Sequence, residues 1–600
     1  MASASPLGEL QLKVLASLCD TFFPSCTAPP GCNEDVKRAF NSSLGENVGY
    51  MRALYDSILS LDESKIVETK VLLSTLSTSV GTVILFGSGL LAFPDRSLEE
   101  RTQNLLDLMT SRFETKRKVF VGLKRLILGL AYSYLSEDGE NDYWGSIEYE
   151  GPPIVKEKDK AHVEKLSGAF DGHFINSHLG DLHSTQSRSS KSDSKLPSVL
   201  VYDYVIIGSG AGGGVAAETF ASAGFSCLVL EKSAPIRQED MTQVESHAFG
   251  SLYEKNGLLT TNDGNMIIMA GSGLGGGTSI NWACCLDTPD YVRQEWVTKH
   301  GLAQFSVEEG KSEFDAALDS VKKTIGVSDK NVVHNVANQI LIDGCSELGL
   351  DWKVAPQNFK TTDDANCGWT CFGDKFGNKQ GTQVTYLTTA AESGNCSFLT
   401  CLVNRILPKE KEAGFNGVEA TVTDFGEGRE HLKCAKMRIM ARKAIICSAG
   451  SLHTPGILKR SGFKNRHIGK HLRLHPVTGI IGEMDSVVKG YQGAPMTTVC
   501  TADEMGPDGD GYGAKIECPS AHVGLMASCL PWEGGEKFKR DMLPSKNSAS
   551  IIMLQRDFGE GTVDVGEVSF ESICRSKLTQ NGANLPRTNP RTTCRTAWLT

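Results

Sequence analysis

The sequence predicts an α/β protein in which a nucleotide-binding domain is interrupted by an α+β domain and preceded by a helical extension. Three observations support this prediction. The first is a glycine pattern, Gly208-x-Gly210-x-x-Gly213, that lies between an apolar run and a helical segment. The second is an apolar strand and turn, residues 442–450, far beyond the glycines. The third is a stretch of about 150 residues before the glycines, where apolar residues recur at helical spacing.

The glycine pattern has the strand and helix that a dinucleotide-binding turn requires. Residues 204–207 form an apolar strand that leads into Gly208, and an Ala-rich helical segment, 215–223, follows. In such a turn the first glycine allows the sharp change of direction. Gly210 lets the backbone approach a pyrophosphate, and Gly213 lets the helix pack against the strand. The helix N-terminus offers free N–H groups to the phosphates.

A second apolar run, residues 227–231, ends in an acid, Glu231. An acid at this place is positioned to accept hydrogen bonds from the adenosine ribose hydroxyls and disfavours a 2′-phosphate. FAD or NAD is therefore favoured over NADP. Because strand, turn, helix and acid stand in the expected order, the pattern favours a dinucleotide site over a chance glycine loop.

The composition narrows the function classes. The chain has 600 residues, enough for several folding units, and a formal net charge of −10, which gives no reason to expect nucleic acid binding. Eighteen cysteines are scattered along it, and no secretory signal precedes them. We therefore expect free thiols in a reducing, intracellular compartment.

The N-terminal region is predicted to be helical, and two of its segments are candidates for contact with a membrane. Apolar residues recur every three or four positions in segments 10–22, 48–61, 98–113 and 116–135. Residues 71–93 carry no charge and are long enough to span a bilayer, although Ser, Thr and Gly interrupt them. Residues 119–135 contain Lys124 and Arg125 and fit an amphipathic or buried helix better. Packing inside a helical domain is the alternative for both segments.

The changes of pattern divide the chain into seven predicted regions. A Ser-rich, charged stretch, residues 184–198, indicates a flexible linker directly before the nucleotide-binding unit. The regions are a helical N-terminal extension (1–153), a linker (154–198), the first part of the FAD-binding domain (199–290), a substrate or cap region (291–435), the second part of the FAD-binding domain (436–482), a substrate domain (483–575) and an atypical tail (576–600).

Two further glycine-containing clusters are candidates for a functional role. In residues 270–282, many glycines would let the backbone pass close to a flat, extended ligand, and Asn281 could donate or accept a hydrogen bond at a polar ring edge. The apolar residues that flank this cluster favour a buried, ligand-contacting loop over a mobile surface loop. The third cluster, residues 448–462, is a strand end, a turn and a short helix, and residues 468–476 follow it closely.

Together these motifs resemble the glucose–methanol–choline (GMC) oxidoreductases, and within them most closely the plant-type long-chain fatty alcohol oxidases. The resemblance rests on the glycine fingerprint and on the blocks at 275–281, 450–455 and 469–476. The helical extension adds markers at 16–24 and 144–153, and the segment 367–381 is also similar. It covers roughly residues 8 to 570, and several linked motifs make it specific.

The resemblance implies a Rossmann-like FAD-binding domain and a flavin-dependent enzyme. Its cofactor-binding residues would be Gly208, Gly210, Gly213, Glu231, Gly276 and Asn281. It would oxidise long-chain primary alcohols to aldehydes with oxygen as acceptor, giving hydrogen peroxide: a base takes the alcohol proton while hydride leaves the carbinol carbon. Membrane association would suit such a substrate. The alternatives are an alcohol dehydrogenase with another acceptor and a truncated, inactive flavin-fold protein.

The sequence departs from the family at two places. Thr370 and Asp374 stand where the family usually has cysteines, and Cys367 and Cys371 alone do not make a metal site, so we predict no metal. The family's catalytic histidine lies in a C-terminal segment, with a closing strand and helix, that is not recognisable after about residue 574. The catalytic residue is therefore unknown, since the resemblance gives that role neither to His453 nor to His475.

Overall fold

The structure is a computed structural model, and it describes most of the chain. The described residues are 7–61, 63–87, 89–176, 199–262, 266–308, 313–408, 416–422, 435–565, 574–576 and 595–597. The predicted flexible stretch 184–198 and most of the predicted atypical tail lie outside these residues.

The N-terminal extension is helical, as its apolar spacing predicts. Its helices are α1 (Glu9–Phe22), α2 (Glu34–Asn41), α3 (Val48–Leu59), α4 (Glu63–Leu76), α5 (Ser79–Phe86), α6 (Leu98–Met109) and α7 (Glu114–Lys124). Helix α8 (Lys160–Ser167) follows the extension. Side-chain caps define where several of them begin: the Asn47 side chain accepts from the Tyr50 N–H at the start of α3, and Ser97 and Glu100 form a capping box on α6. Helix α8 lies inside the predicted linker.

Two of the predicted helical segments differ in the structure. The segment 116–135 is not one α-helix, because a π-helical turn, Arg125–Gly129, follows α7. The uncharged segment 71–93 is divided between α4 and α5, with the break at the Ser and Thr residues between them. Among the described residues no single helix is long and apolar enough to cross a bilayer; residues Lys65–Leu76 and Ser79–Phe86 meet that criterion only as a pair, bent by 106°.

The core of the extension is shared with a distant part of the chain. Phe22 packs against Trp532 with ring centroids 5.0 Å apart, and the Trp532 indole N–H donates to the Phe22 carbonyl at 3.0 Å. Lys539 is buried, and its ammonium donates to three backbone carbonyls at the end of α2, which belong to Ala39, Phe40 and Ser42. The extension is therefore packed as one body with residues 523–542.

The nucleotide-binding sheet is a closed ring of five strands. The strands are β1 (Val199–Ile207), β2 (Cys227–Glu231), β4 (Cys396–Leu407), β5 (Asn416–Val422) and β6 (Ala435–Cys447). β1 pairs in parallel with β2, where Tyr204 lies opposite Cys227, and with β6, where Ile207 lies opposite Cys447. Thus the strand that recurs late in the sequence returns beside β1. β4 and β5, which fall within the predicted substrate or cap region, complete this sheet because β4 pairs in parallel with β2.

A second sheet has six strands in the order β13, β7, β10, β9, β8, β3. Its strands are β3 (Trp352–Val354), β7 (Val477–Glu483), β8 (Thr498–Asp503), β9 (Ala514–Glu517), β10 (Ser548–Gln555) and β13 (Arg595–Ala597), while β11 (Val563–Val565) and β12 (Cys574–Ser576) form a separate pair. β7 and β10 are antiparallel, with Ile480 opposite Ile551. The mixed helix and sheet content agrees with the predicted α/β class.

The remaining helices surround the two sheets. They are α9 (Ala211–Ser222), α10 (Glu245–Leu252), α11 (Asp290–His300), α12 (Glu313–Thr324), α13 (Val336–Leu348), α14 (Tyr386–Glu392), α15 (Gly450–Arg460), α16 (Val523–Cys529) and α17 (Gly535–Met542). Two of them position the site: α9 begins at the glycine turn after β1, and α16 packs on the π turn of the extension.

Candidate functional site

The glycine turn after β1 is packed so tightly that two of its glycines have no room for a side chain. A Cβ at Gly213 would lie 1.9 Å from the Gly208 carbonyl oxygen, and one at Gly208 would lie 2.7 Å from the carbonyl oxygen of Ser448, which follows β6. Gly208 also has a positive φ of 93°. Gly210 differs, because a Cβ there would meet no protein atom closer than 4.0 Å. The open side of this turn is therefore at Gly210, where helix α9 begins.

The second glycine segment, residues 271–277, lies against this open turn. A Cβ added to Gly276 would approach the Gly210 Cα to 3.1 Å, and Gly276 has a positive φ of 55°. The buried Ser209 connects the two segments, because its hydroxyl oxygen accepts from the Gly275 N–H at 3.0 Å. Two backbones that are distant in sequence thus flank one narrow space, as a dinucleotide cradle requires.

Glu231 closes the turn from the end of β2. Its carboxylate is buried and accepts from the Ser209 N–H at 3.1 Å, from the Ser209 hydroxyl at 2.6 Å and from the Ser233 N–H at 3.1 Å. These bonds hold the glycine turn on β2 and use most of the acceptor sites of the carboxylate. Contact between Glu231 and a ribose stays a prediction.

The segment around 367–382 is hydrogen-bonded to the residues that directly follow the second glycine segment. The Lys379 ammonium is buried and donates to the carbonyls of Ser279 (3.1 Å), Thr370 (2.8 Å) and Asn281 (2.8 Å). Burial lowers the pKa of Lys379 to about 8. Thr382 connects the same segment to the first glycine turn, since its hydroxyl donates to the Ser209 carbonyl at 3.3 Å. The sequence indicated no role for Ser209, Lys379 or Thr382.

A large cavity adjoins the second glycine segment. Its volume is about 1070 Å³, slightly above the range of roughly 300–1,000 Å³ usual for small-molecule sites. The parts of the chain that line it include the π turn of the extension, residues 246–258, the loop 266–271, residues 449–453, residues 472–476, helix α16 and strands β7 and β10. Of the predicted site residues Asn281 lines it, whereas Gly208, Gly210, Gly213, Glu231 and Gly276 are not among its lining residues. The two glycine segments therefore lie at the edge of a largely apolar chamber.

One acidic residue, Glu254, is found among the described residues that line the cavity, and it is paired. The buried Glu254 carboxylate forms an ion pair with Lys232, directly after β2, and its Oε1 lies 2.8 Å from His453 Nε2 on α15. Burial alone would raise the pKa of Glu254, but the His453 hydrogen bond and the charges of His453 and Lys232 outweigh it and lower the pKa to about 2. This ion cluster joins the end of β2, the turn after α10 and helix α15.

Three of the described histidines line the cavity, and their surroundings differ. His453 is engaged by Glu254. His522 is fully buried, with Nε2 2.7 Å from the Gly368 carbonyl and Nδ1 3.2 Å from the Tyr149 hydroxyl. Burial lowers the pKa of His522 to about 4, so the ring is neutral, donates from Nε2 and accepts at Nδ1. His475 is exposed to the cavity and makes no hydrogen bond within the described part of the chain.

Cys367 and Cys371 are buried free thiols, and burial raises the pKa of both. Over the described ranges, no group of three or more His, Cys, Asp or Glu side chains is arranged to hold a metal ion.

The chain is similar to one known family and to several known proteins. The sequence model of the GMC oxidoreductases matches residues 249–477. The chain is 31% identical over 597 residues to the long-chain-alcohol oxidase FAO4A of Arabidopsis thaliana, covering 92% of this chain and 80% of that one. It is also 31% identical to FAO4B of the same plant, covering 94% and 78%. A pyridoxine 4-oxidase structure from Mesorbium loti aligns with a TM-score of 0.45 at 15% identity, covering 63% of this chain and 75% of that one.

Proposed function

Because this chain belongs to the GMC oxidoreductase family, whose cofactor is FAD, we propose that it oxidises long-chain primary alcohols to aldehydes with oxygen as the acceptor. The observation that carries the proposal is the meeting of residues 208–213 with residues 271–277 beside a large apolar cavity. Its curated relatives are named long-chain-alcohol oxidases. A chamber of this size and lining suits an alkyl chain, since the burial of each CH₂ contributes about 0.8 kcal/mol.

The residues of the cradle fit FAD. The open space at Gly210 and the first N–H groups of α9 would hold the pyrophosphate, which needs close backbone approach and N–H donors. Gly276 keeps the facing backbone free of side-chain atoms, and Asn281, exposed to the cavity, would meet a polar edge of the flavin ring. When bound, FAD supplies the hydride acceptor for the carbinol carbon.

The protein must also accept the hydroxyl proton of the alcohol. Of the histidines that line the cavity in the described part of the chain, His522 has both ring nitrogens engaged and His453 is bonded to Glu254. His475 makes no hydrogen bond within the described part of the chain, and histidine is the side chain that most often transfers protons in enzymes. We therefore assign proton acceptance to a ring nitrogen of His475 as part of the proposal.

The experiment is peroxide release from cetyl alcohol by the FAD-loaded protein, measured with a peroxidase-coupled dye and paired with aldehyde detection. We expect aldehyde and hydrogen peroxide in equal amounts. Aldehyde without peroxide, in the presence of an artificial electron acceptor, would contradict oxygen as the acceptor. If a protein that retains its flavin forms neither product, the proposal that long-chain alcohols are the substrate is contradicted.

The proposal includes an intracellular membrane surface as the site of action. Val71 on α4 and Val80 and Ile84 on α5 are 60%, 70% and 73% exposed, which is unusual for a cluster of large apolar side chains. Their exposure supports docking over the alternative that this run is domain core. The bend between α4 and α5 favours a helix pair that inserts part-way over one that spans the bilayer.

A further inference from the structure

A buried carboxyl, Glu517, lies on the second sheet beside the large cavity. Glu517 ends β9 and stands directly opposite Ile552 on β10, which in turn stands opposite Gly479 on β7. Residues directly opposite one another in antiparallel strands have their side chains on the same face of the sheet. Ile552 and Gly479 both line the cavity. The Glu517 carboxyl is therefore on the cavity side of the sheet, although the residue is only 2% exposed.

The surroundings of Glu517 do not suit an ionised carboxylate. Its Oε1 accepts a weak hydrogen bond from the Cys284 thiol, with the sulfur 3.9 Å away. Its Oε2 is buried and has no hydrogen-bond partner among the described residues. An unpaired charge in such a place is costly, and the group becomes neutral instead. Burial accordingly raises the pKa of Glu517 to about 7, although the charge of Lys515 and the Cys284 hydrogen bond lower it.

The charged and titratable groups around Glu517 leave it in this neutral form. Lys515, on the same strand, is paired with Glu504 at 2.9 Å. The residue opposite on β8, Val499, is apolar. Cys518 follows in the chain, and burial raises the pKa of its thiol to about 12. At neutral pH and below, Glu517 is thus a proton donor whose Oε2 meets no acceptor in the described part of the protein.

Cys284 and Ser520 connect this donor with the cavity. Cys284 lines the cavity and lies three residues after Asn281, which the proposed function puts at a polar edge of the flavin. Burial raises the pKa of Cys284 against the opposing charge of Lys353, so its thiol stays protonated. Ser520 also lines the cavity close after β9, and its buried hydroxyl has no partner in the described ranges. A hydroxyl can accept one proton and donate another, so this end of β9 can pass a proton into the cavity.

We propose that Glu517 supplies a proton to oxygen in the second half of the reaction. This role rests on the proposed alcohol oxidation with oxygen as the acceptor. In the first half, the carbinol carbon gives up a hydride and the hydroxyl gives its proton to His475. In the second half, oxygen receives the two electrons and the hydrogen of that hydride, together with one proton from Glu517, and leaves as hydrogen peroxide. Glu517 is left as a carboxylate and regains a proton from solvent, to which His475 releases the proton it accepted.

The first test starts from protein whose bound FAD has been reduced with dithionite, so that it requires no alcohol. The reduced protein is mixed with oxygen between about pH 6 and pH 9, and flavin absorbance is followed by stopped flow. In the wild type the rate constant should fall roughly tenfold per pH unit above about 7, because the carboxyl loses its proton. Glu517→Gln should be about 100-fold slower at pH 6 and should show no such fall, whereas Glu517→Asp, which keeps a carboxyl, should still show one.

Glu483→Gln is the matched control for this test. Glu483 lies on β7 of the same sheet, is exposed and is not among the lining residues of the cavity, so this variant should follow the wild type. The same pH dependence in wild type and Glu517→Gln overturns the role of Glu517 and leaves the alcohol oxidation standing. If the reduced wild type fails to react with oxygen at any pH, oxygen is not the acceptor, and the role of Glu517 falls with it.

The second test observes the proton itself in the flavin-free protein. The infrared difference spectrum between wild type and Glu517→Gln should contain the C=O band of a protonated carboxylic acid at about pH 6 and should lose it by about pH 9. A structural role alone would not produce a band that titrates in this range. If the band is absent at pH 6, Glu517 has no proton to give and the proposal is wrong.

Discussion

Replacement of Gly210 by alanine separates flavin binding from folding. In the protein alone, the new Cβ would have no neighbour closer than 4.0 Å, and the φ of Gly210, −64°, suits any residue. Gly210 is the N-cap of α9, where alanine is less favourable than glycine by about 1 kcal/mol or less. The flavin-free variant should therefore fold with almost the stability of the wild type.

The cost should appear when FAD binds. The added methyl would occupy the open side of the turn, where the backbone of Gly210 must approach the pyrophosphate. A methyl group forced into a close-packed contact costs about 1–3 kcal/mol, which corresponds to a loss of roughly 5- to 150-fold in FAD affinity. The same replacement at Gly213 would place its Cβ 1.9 Å from a carbonyl oxygen, so Gly213→Ala should fail in folding before binding is tested.

The assays are thermal unfolding of the flavin-free proteins and an FAD titration followed by flavin fluorescence. Gly344→Ala is the matched control, because Gly344 also has open space around it but lies in α13, away from the cradle. It should leave FAD affinity unchanged and, because alanine favours a helix interior over glycine, stabilise the protein by about 0.5–1 kcal/mol. If Gly210→Ala binds FAD within twofold of the wild type, the pyrophosphate does not pass Gly210 and the cradle is wrongly assigned.

Three further predictions concern the ion cluster, the proton acceptor and the membrane surface. Glu254 has a folded pKa of about 2 against 4.5, so its charge contributes about 3 kcal/mol above pH 4.5, lost as pH falls toward 2. Denaturant titrations should therefore show Glu254→Gln less stable than wild type at neutral pH, with the gap closing in acid. His475→Ala should lower kcat about 100-fold or more while flavin absorbance stays, and an unchanged kcat would refute the assignment. Charges at Val80 and Ile84 (both →Asp) should abolish flotation with vesicles, whereas Leu348→Asp, equally exposed elsewhere, should not.

Local spacing was enough to predict the strand, the tight glycine turn and the helix that follows it. Gly208 and Gly213 are required by contacts within a few residues, between β1, the turn and α9, and such requirements leave a fixed pattern in the sequence. The apolar strand that recurs late in the chain indicated an interrupted nucleotide-binding domain, and in the structure this strand, β6, lies beside β1. Parallel strands must be joined by long crossovers, so this kind of recurrence is informative even over a long interval.

The contacts that complete the site could not be predicted in the same way. The Ser209 hydroxyl meets Gly275, and the Lys379 ammonium meets the carbonyl of Asn281, across long separations in sequence. A single serine or lysine has no periodicity, and its burial is decided by tertiary packing. Arg125 is a similar case: its segment could be interpreted as a buried or amphipathic helix, but the π turn that directs it to the cavity has no sequence signature.

The helical extension forms part of the wall of the large apolar cavity. Its core includes Trp532, its α2 carbonyls are bound by the buried Lys539, and its π turn packs on α16, which lines the same cavity. Burial lowers the pKa of Lys539 to about 8, and a cation is tolerated there only because three carbonyls surround it. Since these contacts hold α16 and Arg125 together, the extension determines the shape of the chamber as well as its charge. Under the proposed function, substrate selection would depend on residues that lie far in sequence from residues 208–213.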